Sequence, residues 1–123
     1  AHARGIHTLL VSGGFTYFTQ RLQEILGLKE THANSLEIID GKLTGQVLGD
    51  IVDGNAKAVF VQTRCDALGI TKHAAVTMGD GSNDLIMMKD SGLSIGYRAK
   101  PIVQSTADIA FNYVGLDAWL DLL

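Results

Sequence analysis

Apolar residues along this chain recur with two alternating periods. Thr8-Leu9-Leu10-Val11 is a short β-type run that stops at Ser12-Gly13-Gly14. Over residues 15–26 the apolar positions Phe15, Phe18, Leu22 and Ile25 repeat at helical spacing, which predicts a helix ended by Gly27. Leu36-Glu37-Ile38-Ile39 and Lys42-Leu43-Thr44-Gly45-Gln46-Val47 flank Asp40-Gly41, the signature of a hairpin with a two-residue type I′ turn. A helix is predicted over residues 55–68, closed by Gly69, then a buried strand over 74–78 and a short helix over 82–89, ended by Ser91-Gly92. Leu93-Ser94-Ile95-Gly96 reads as a further buried strand, Pro101 as the first turn of a short helix, Asp108-Ile109-Ala110-Phe111 as a last strand and residues 116–123 as a closing helix. Strands alternating with helices predict an α/β fold with a mainly parallel sheet that carries one β-hairpin.

The densest chemistry falls at one strand-to-helix turn, Thr77-Met78-Gly79-Asp80-Gly81-Ser82-Asn83-Asp84. In an open α/β sheet the carboxyl ends of the strands face the ligand crevice, so Asp80 is expected to enter it and to hold a hard cation. Two other uses of the pattern fail on spacing. Gly79-x-Gly81-x-x-Asp84 ends a dinucleotide fingerprint on aspartate instead of glycine, and Asp80 would face a pyrophosphate with negative charge. As a calcium loop, Asp80-x-Ser82-x-Asp84 has Leu85 where glycine is needed and Ser91 where glutamate is needed. The purely structural alternative stays open: an Asp-Gly turn, Ser82 as helix cap and Asp84 complementing the helix dipole.

Ser12-Gly13-Gly14 offers a hydroxyl and bare N–H groups between a strand and a helix, which suits phosphate, or else a helix cap with a tight turn. The surroundings of Ser12 are not a G-x-S-x-G nucleophile elbow. Lys57 opposes the dipole at the start of its helix, so its ammonium either has another duty or lies on the surface.

Composition narrows the partners. The 123 residues are 46% hydrophobic, enough for one core, and a single domain over 1–123 is expected. A formal net charge of -3 supplies no basic patch, which argues against nucleic acid and anionic membranes. One cysteine, Cys65, cannot pair within the chain and reads as a small packing residue; it agrees with a reducing compartment, the cytoplasm.

Taken in order, Val11-Ser12-Gly13-Gly14-Phe15, Leu36-Glu37-Ile38-Ile39-Asp40-Gly41-Lys42-Leu43-Thr44-Gly45, Asn55-Ala56-Lys57, Gly79-Asp80-Gly81-Ser82-Asn83-Asp84 and Ala99-Lys100-Pro101 resemble the phosphoserine phosphatases of the haloacid dehalogenase superfamily. The resemblance covers nearly the whole chain, although the Gly79 to Asp84 motif alone is shared with P-type ATPases and sugar phosphatases. It implies a Rossmann-like core and Mg2+-dependent hydrolysis of O-phosphoserine through an aspartyl-phosphate, as in serine biosynthesis. Carried over residue by residue, Ser12 and the Gly13 N–H would bind the phosphoryl group, and Lys57 would neutralise phosphate and nucleophile. Asp80 would bind Mg2+, Asp84 would hold a metal-bound water or orient Lys57, and Asn83 would reach the nucleophile or phosphate. Such roles suit phosphoryl transfer, which rests on positioning and charge stabilisation.

The chain departs from that pattern in one respect. The family's D-x-D-x-T/S motif, source of the nucleophile, should precede Ser12, yet the first aspartate here is Asp40. The sequence therefore resembles the C-terminal part of such an enzyme, lacking the central first-motif strand and the cap that reads serine. Expected consequences are inactivity of the chain alone, weak metal binding, and self-association or pairing with the missing N-terminal segment. The alternatives are a non-catalytic module that holds phosphate or metal, another phosphatase of the superfamily, or a pump's phosphorylation domain; the absent D-K-T-G-T motif counts against the last.

Overall fold

A computed structural model describes residues 1–123, which divide into two compact units, Ala1–Ala56 and Lys57–Leu123. In the first, β1 (Leu9–Phe15), α1 (Thr16–Leu26), β2 (Glu30–Ile39) and β3 (Lys42–Leu48) form a three-stranded sheet in the order β1-β2-β3. The β1 and β2 strands pair in parallel across α1, and β2 and β3 pair antiparallel. Asp40 and Gly41 both take positive φ, 50° and 75°, as the two central residues of a type I′ turn must.

The second unit holds most of α2 (Gly54–Leu68), then β4 (Val76–Gly79), α3 (Leu85–Met88), β5 (Leu93–Tyr97), α4 (Pro101–Thr106) and β6 (Ile109–Phe111). Its sheet is all parallel, in the order β4-β5-β6. Pro101 opens α4, where its missing N–H costs no helical bond. The unit's centre is apolar: Ile95 and Val103 are fully buried, and Met88 and Ala99 pack with Val103. Burying side chains of that size stabilises by about 1.5–3 kcal/mol each. Cys65 is free and buried, in keeping with a packing residue. No helix is long and apolar enough to cross a membrane.

The parallel strands, the hairpin and the glycine stops follow the sequence pattern; several details do not. The first strand runs on through Ser12-Gly13-Gly14 to Phe15, so α1 begins at Thr16. The loss of regular pairing between Val11 and Phe15 is what lets the strand carry two glycines. The apolar stripe of α1 is also largely exposed. Phe18 and Ile25 are 62% and 73% exposed, while Thr19 is buried and Gln23 accepts a 3.0 Å hydrogen bond from Thr31 of β2. Helical periodicity marks a stripe as apolar without saying which side the sheet will occupy. The segment before β4 is a 3-10 turn, Lys72–Ala74, so that strand starts at Val76, and the chain closes in 3-10 geometry over Leu116–Leu122.

A reciprocal clip joins β5 to the start of β6. The Asp108 carboxylate accepts the Ser94 N–H and O–H, both at 2.8 Å, and the Ser94 hydroxyl accepts the Asp108 N–H at 3.0 Å. The backbone hydrogen bond first, then the hydroxyl, hold the Asp108 carboxyl below its ordinary 3.8, against the opposing effect of desolvation. A depressed carboxyl stabilises the fold fully above its unfolded value and loses that contribution as pH falls through the lower folded value. Urea midpoints for wild type and Asp108→Asn should therefore differ by a constant amount from about pH 5 upward and draw together as pH falls below the ordinary carboxylate range. A gap that stays constant as pH falls would show that the clip does not depend on the charge.

Candidate active site

The site grows out of the carboxyl end of β4. The strand, with Thr77 buried and its neighbours half-buried, runs to Gly79, after which Asp80-Gly81 turns the chain into the 3-10 turn Ser82–Asp84 that leads into α3. Asp84 closes the turn by reaching back along the chain. Its Oδ2 accepts the N–H groups of Asp80 at 3.0 Å and Gly81 at 3.2 Å, and its own N–H donates to the Gly81 carbonyl at 2.9 Å. Ser82 is exposed and caps nothing, so the alternative of a Ser82 helix cap gives way to the Asp84 carboxylate, with Gly81 at the cap position.

The other Asp84 oxygen, Oδ1, accepts the Lys57 ammonium at 2.7 Å. The two side chains are only 7% and 6% exposed. Lys57 sits in the first turn of α2, where the dipole opposes its charge, and this ion pair is the other duty the sequence implied. Asp53 completes the same helix start by accepting the Ala56 N–H at 2.8 Å.

Gly79 is required by this packing. A β-carbon there would overlap the Asp84 carboxylate. Gly79→Ala is accordingly expected to cost about 1–3 kcal/mol, the usual penalty for overpacking a filled site. A thermal melt matching wild type would show that the turn has room to spare.

Asp80 differs from Asp84 in every respect that matters to a ligand. It is exposed, its carboxylate makes no hydrogen bond or ion pair, and its carbonyl is held by the Lys100 N–H at 2.9 Å. A free oxygen donor on a fixed backbone suits a hard cation that keeps most of its waters. No three His, Cys, Asp or Glu side chains are grouped to hold a metal without such waters. Asp84 has spent three of its lone-pair positions, leaving room for a water more readily than for direct ligation. Asn83 is exposed on the turn beside them. The structure thus brings Lys57, Asp80, Asn83 and Asp84 to one turn.

Ser12 and Gly13 lie in the other unit, on the irregular stretch of β1. The Ser12 hydroxyl accepts the Gly14 N–H at 3.0 Å, so it braces its own loop and does not cap α1, whose cap position is Phe15. Asn34 of β2 holds this loop: its amide donates to the Gly13 carbonyl at 2.9 Å while its oxygen accepts the Val52 N–H at 2.7 Å. Sequence reasoning missed Asn34, because an isolated asparagine within a strand carries no spacing signal. Asp53 was also missed, although Asp three residues before Ala56 is a readable cap.

The haloacid dehalogenase-like hydrolase family matches residues 1–89. The chain is 48% identical over 123 residues to a phosphoserine phosphatase of Polaromonas, covering 97% of this chain and 52% of that protein. Among solved structures, the probable phosphoserine phosphatase of Vibrio cholerae in unliganded form superposes with a TM-score of 0.92 at 44% identity, over 97% of this chain and 37% of that one. A structure described as a phospho-aspartyl intermediate analogue of phosphoserine phosphatase superposes with a TM-score of 0.91 at 38% identity, over 99% of this chain and 58% of that one. The chain spans about half the length of the curated relatives it matches, or less. With the family matched over most of its length, the chain belongs to the haloacid dehalogenase-like hydrolases.

Proposed function

We propose that these residues form the phosphate- and metal-binding part of a phosphoserine phosphatase, one that converts O-phosphoserine and water to serine and phosphate. The observation that carries this reading is the buried Lys57–Asp84 pair, which clamps the Asp80-Gly81 turn while leaving the Asp80 carboxylate unspent. Its likeness to phosphoserine phosphatases over 97% of the chain supports the same reading.

In this reading Ser12 and the Gly13 N–H receive the phosphoryl oxygens, and Lys57 offsets charge on phosphate and nucleophile. Asp80 holds Mg2+, Asp84 fixes Lys57 and a metal-bound water, and Asn83 reaches the phosphate or nucleophile. Mg2+, when bound, would neutralise charge on the phosphoryl group. The nucleophile is a carboxylate from outside these residues, since none of residues 1–39 is an aspartate. Its oxygen attacks phosphorus, the bond from phosphorus to the serine oxygen breaks, and water later releases phosphate from the aspartyl-phosphate. A supply of serine in the cytoplasm is the role that fits this product.

The exposed face of α1, with Phe18, Leu22 and Ile25, is proposed to be covered by the rest of a longer polypeptide or, in its absence, by a second copy. Sedimentation of the 123-residue chain should show concentration-dependent association that Phe18→Ser with Ile25→Ser reduces. A monomer at high concentration would count against that part.

The central test mixes this chain with a separately made polypeptide carrying a D-x-D-x-T/S motif and the cap. Phosphate release from O-phosphoserine should be absent for the chain alone and appear, with Mg2+, in the mixture. Release by the isolated chain that persists in Asp80→Asn would overturn the assignment.

A further inference from the structure

Beside Asp80 lies a cleft of about 340 Å3 lined by Met78, Gly79, Asp80, Tyr97, Arg98 and Leu116. Arg98 is unusual there. It has φ +44°, in the left-handed region that a bulky side chain rarely occupies, immediately after β5 at the carboxyl edge of the sheet. Two hydrogen bonds maintain this: the Arg98 N–H donates to the Phe111 carbonyl at 2.8 Å, and the Lys100 N–H donates to the Asp80 carbonyl at 2.9 Å. The guanidinium lies 5.4 Å from the centre of the Tyr97 ring, within cation–π range. Although Asp80 and Arg98 line the same cleft, they form no ion pair with each other or with any other side chain.

Opposite charges left unpaired in one cleft are both available to a ligand that brings its own two charges. Strain retained at a non-glycine residue points the same way, because glycine at that position would be cheaper. The geometry points to Arg98 as a phosphate-binding residue: its planar fork takes an oxyanion of the phosphoryl group while Asp80 faces the cation. Arginine suits this because its guanidinium can engage two phosphate oxygens at once. The inference rests on reading Asp80 as the metal carboxylate of a phosphomonoester hydrolase. It adds a substrate contact from the loop after β5, which the turn motif does not contain.

The test is a titration of the isotopically labelled 123-residue chain with inorganic phosphate, followed by the arginine side-chain N–H resonances and the backbone amides of residues 79–81. Phosphate should shift the Arg98 side-chain signal, and Arg98→Gln should raise the dissociation constant about tenfold, the loss of one charge-assisted contact. Arg98→Lys should fall between them. Arg98→Gly should bind as poorly as Arg98→Gln yet melt at a higher temperature, because the strain is relieved while the ligand contact is lost. The inference is overturned if Arg98→Gln binds phosphate like wild type, or if wild type binds none. Ser12→Ala separates this outcome from the broader reading. Weakened binding in Ser12→Ala with unchanged Arg98→Gln keeps the phosphatase reading and discards the role of Arg98; the reverse keeps Arg98 and discards the role of Ser12.

Discussion

Asp84→Ala is expected to destabilise the Lys57–Leu123 unit by about 3–5 kcal/mol, the cost of stripping one partner from a buried ion pair. Two losses coincide. The Lys57 side chain, 7% exposed, is left buried with no counter-ion, and the Asp80 and Gly81 N–H groups lose their acceptor. Whole domains are stable by only about 5–15 kcal/mol, so a change of this size takes most of the margin. Lys57→Met should cost less, because Asp84 would keep two backbone donors and the methionine would fill the space. The double variant Lys57→Met with Asp84→Ala should cost less than the sum of the two, since no charge remains buried. Urea unfolding at neutral pH measures all three. Single variants each losing under about 1 kcal/mol would mean that the pair is worth no more than a surface salt bridge.

Asp80→Asn should have the opposite profile, leaving stability within about 0.5 kcal/mol of wild type, as is usual for an exposed substitution. Its carboxylate is exposed and holds nothing in the fold. In the complex restored with a D-x-D-x-T/S polypeptide, however, it should abolish Mg2+-dependent release of phosphate from O-phosphoserine. Ser12→Ala and Lys57→Ala should each lose roughly 10²–10³ in rate, the effect of removing one charge-stabilising donor. For Lys57→Ala the rate is to be compared at equal folded fraction, because the same lysine supports the turn. A folded Asp80→Asn complex with undiminished, metal-dependent turnover would show that the cation is held elsewhere.

Local chemistry was legible in the residues themselves. The Asp40-Gly41 turn demands two positive φ values, Gly27 and Gly69 stop helices in the left-handed region, and Pro101 can only open one. The Gly79 to Asp84 turn could be placed at a strand end because an apolar run precedes it, and Lys57 drew notice by opposing a helix dipole. Each of these depends on a few neighbouring residues, so sequence determined it.

Tertiary structure decided what depends on distant partners. Which side of α1 meets the sheet was set by where β2 lies, and Thr19 and Gln23 occupy that side in place of Phe18 and Ile25. Whether Ser82 or Asp84 would hold the turn depended on Lys57, 27 residues away, arriving within 2.7 Å of the carboxylate. Arg98 gains its place beside Asp80 only because β5 pairs in parallel with β4, which brings two strand ends together. Spacing along a chain constrains contacts within a turn or a helix, whereas contacts between elements are fixed by the packing that buries the core around Ile95 and Val103.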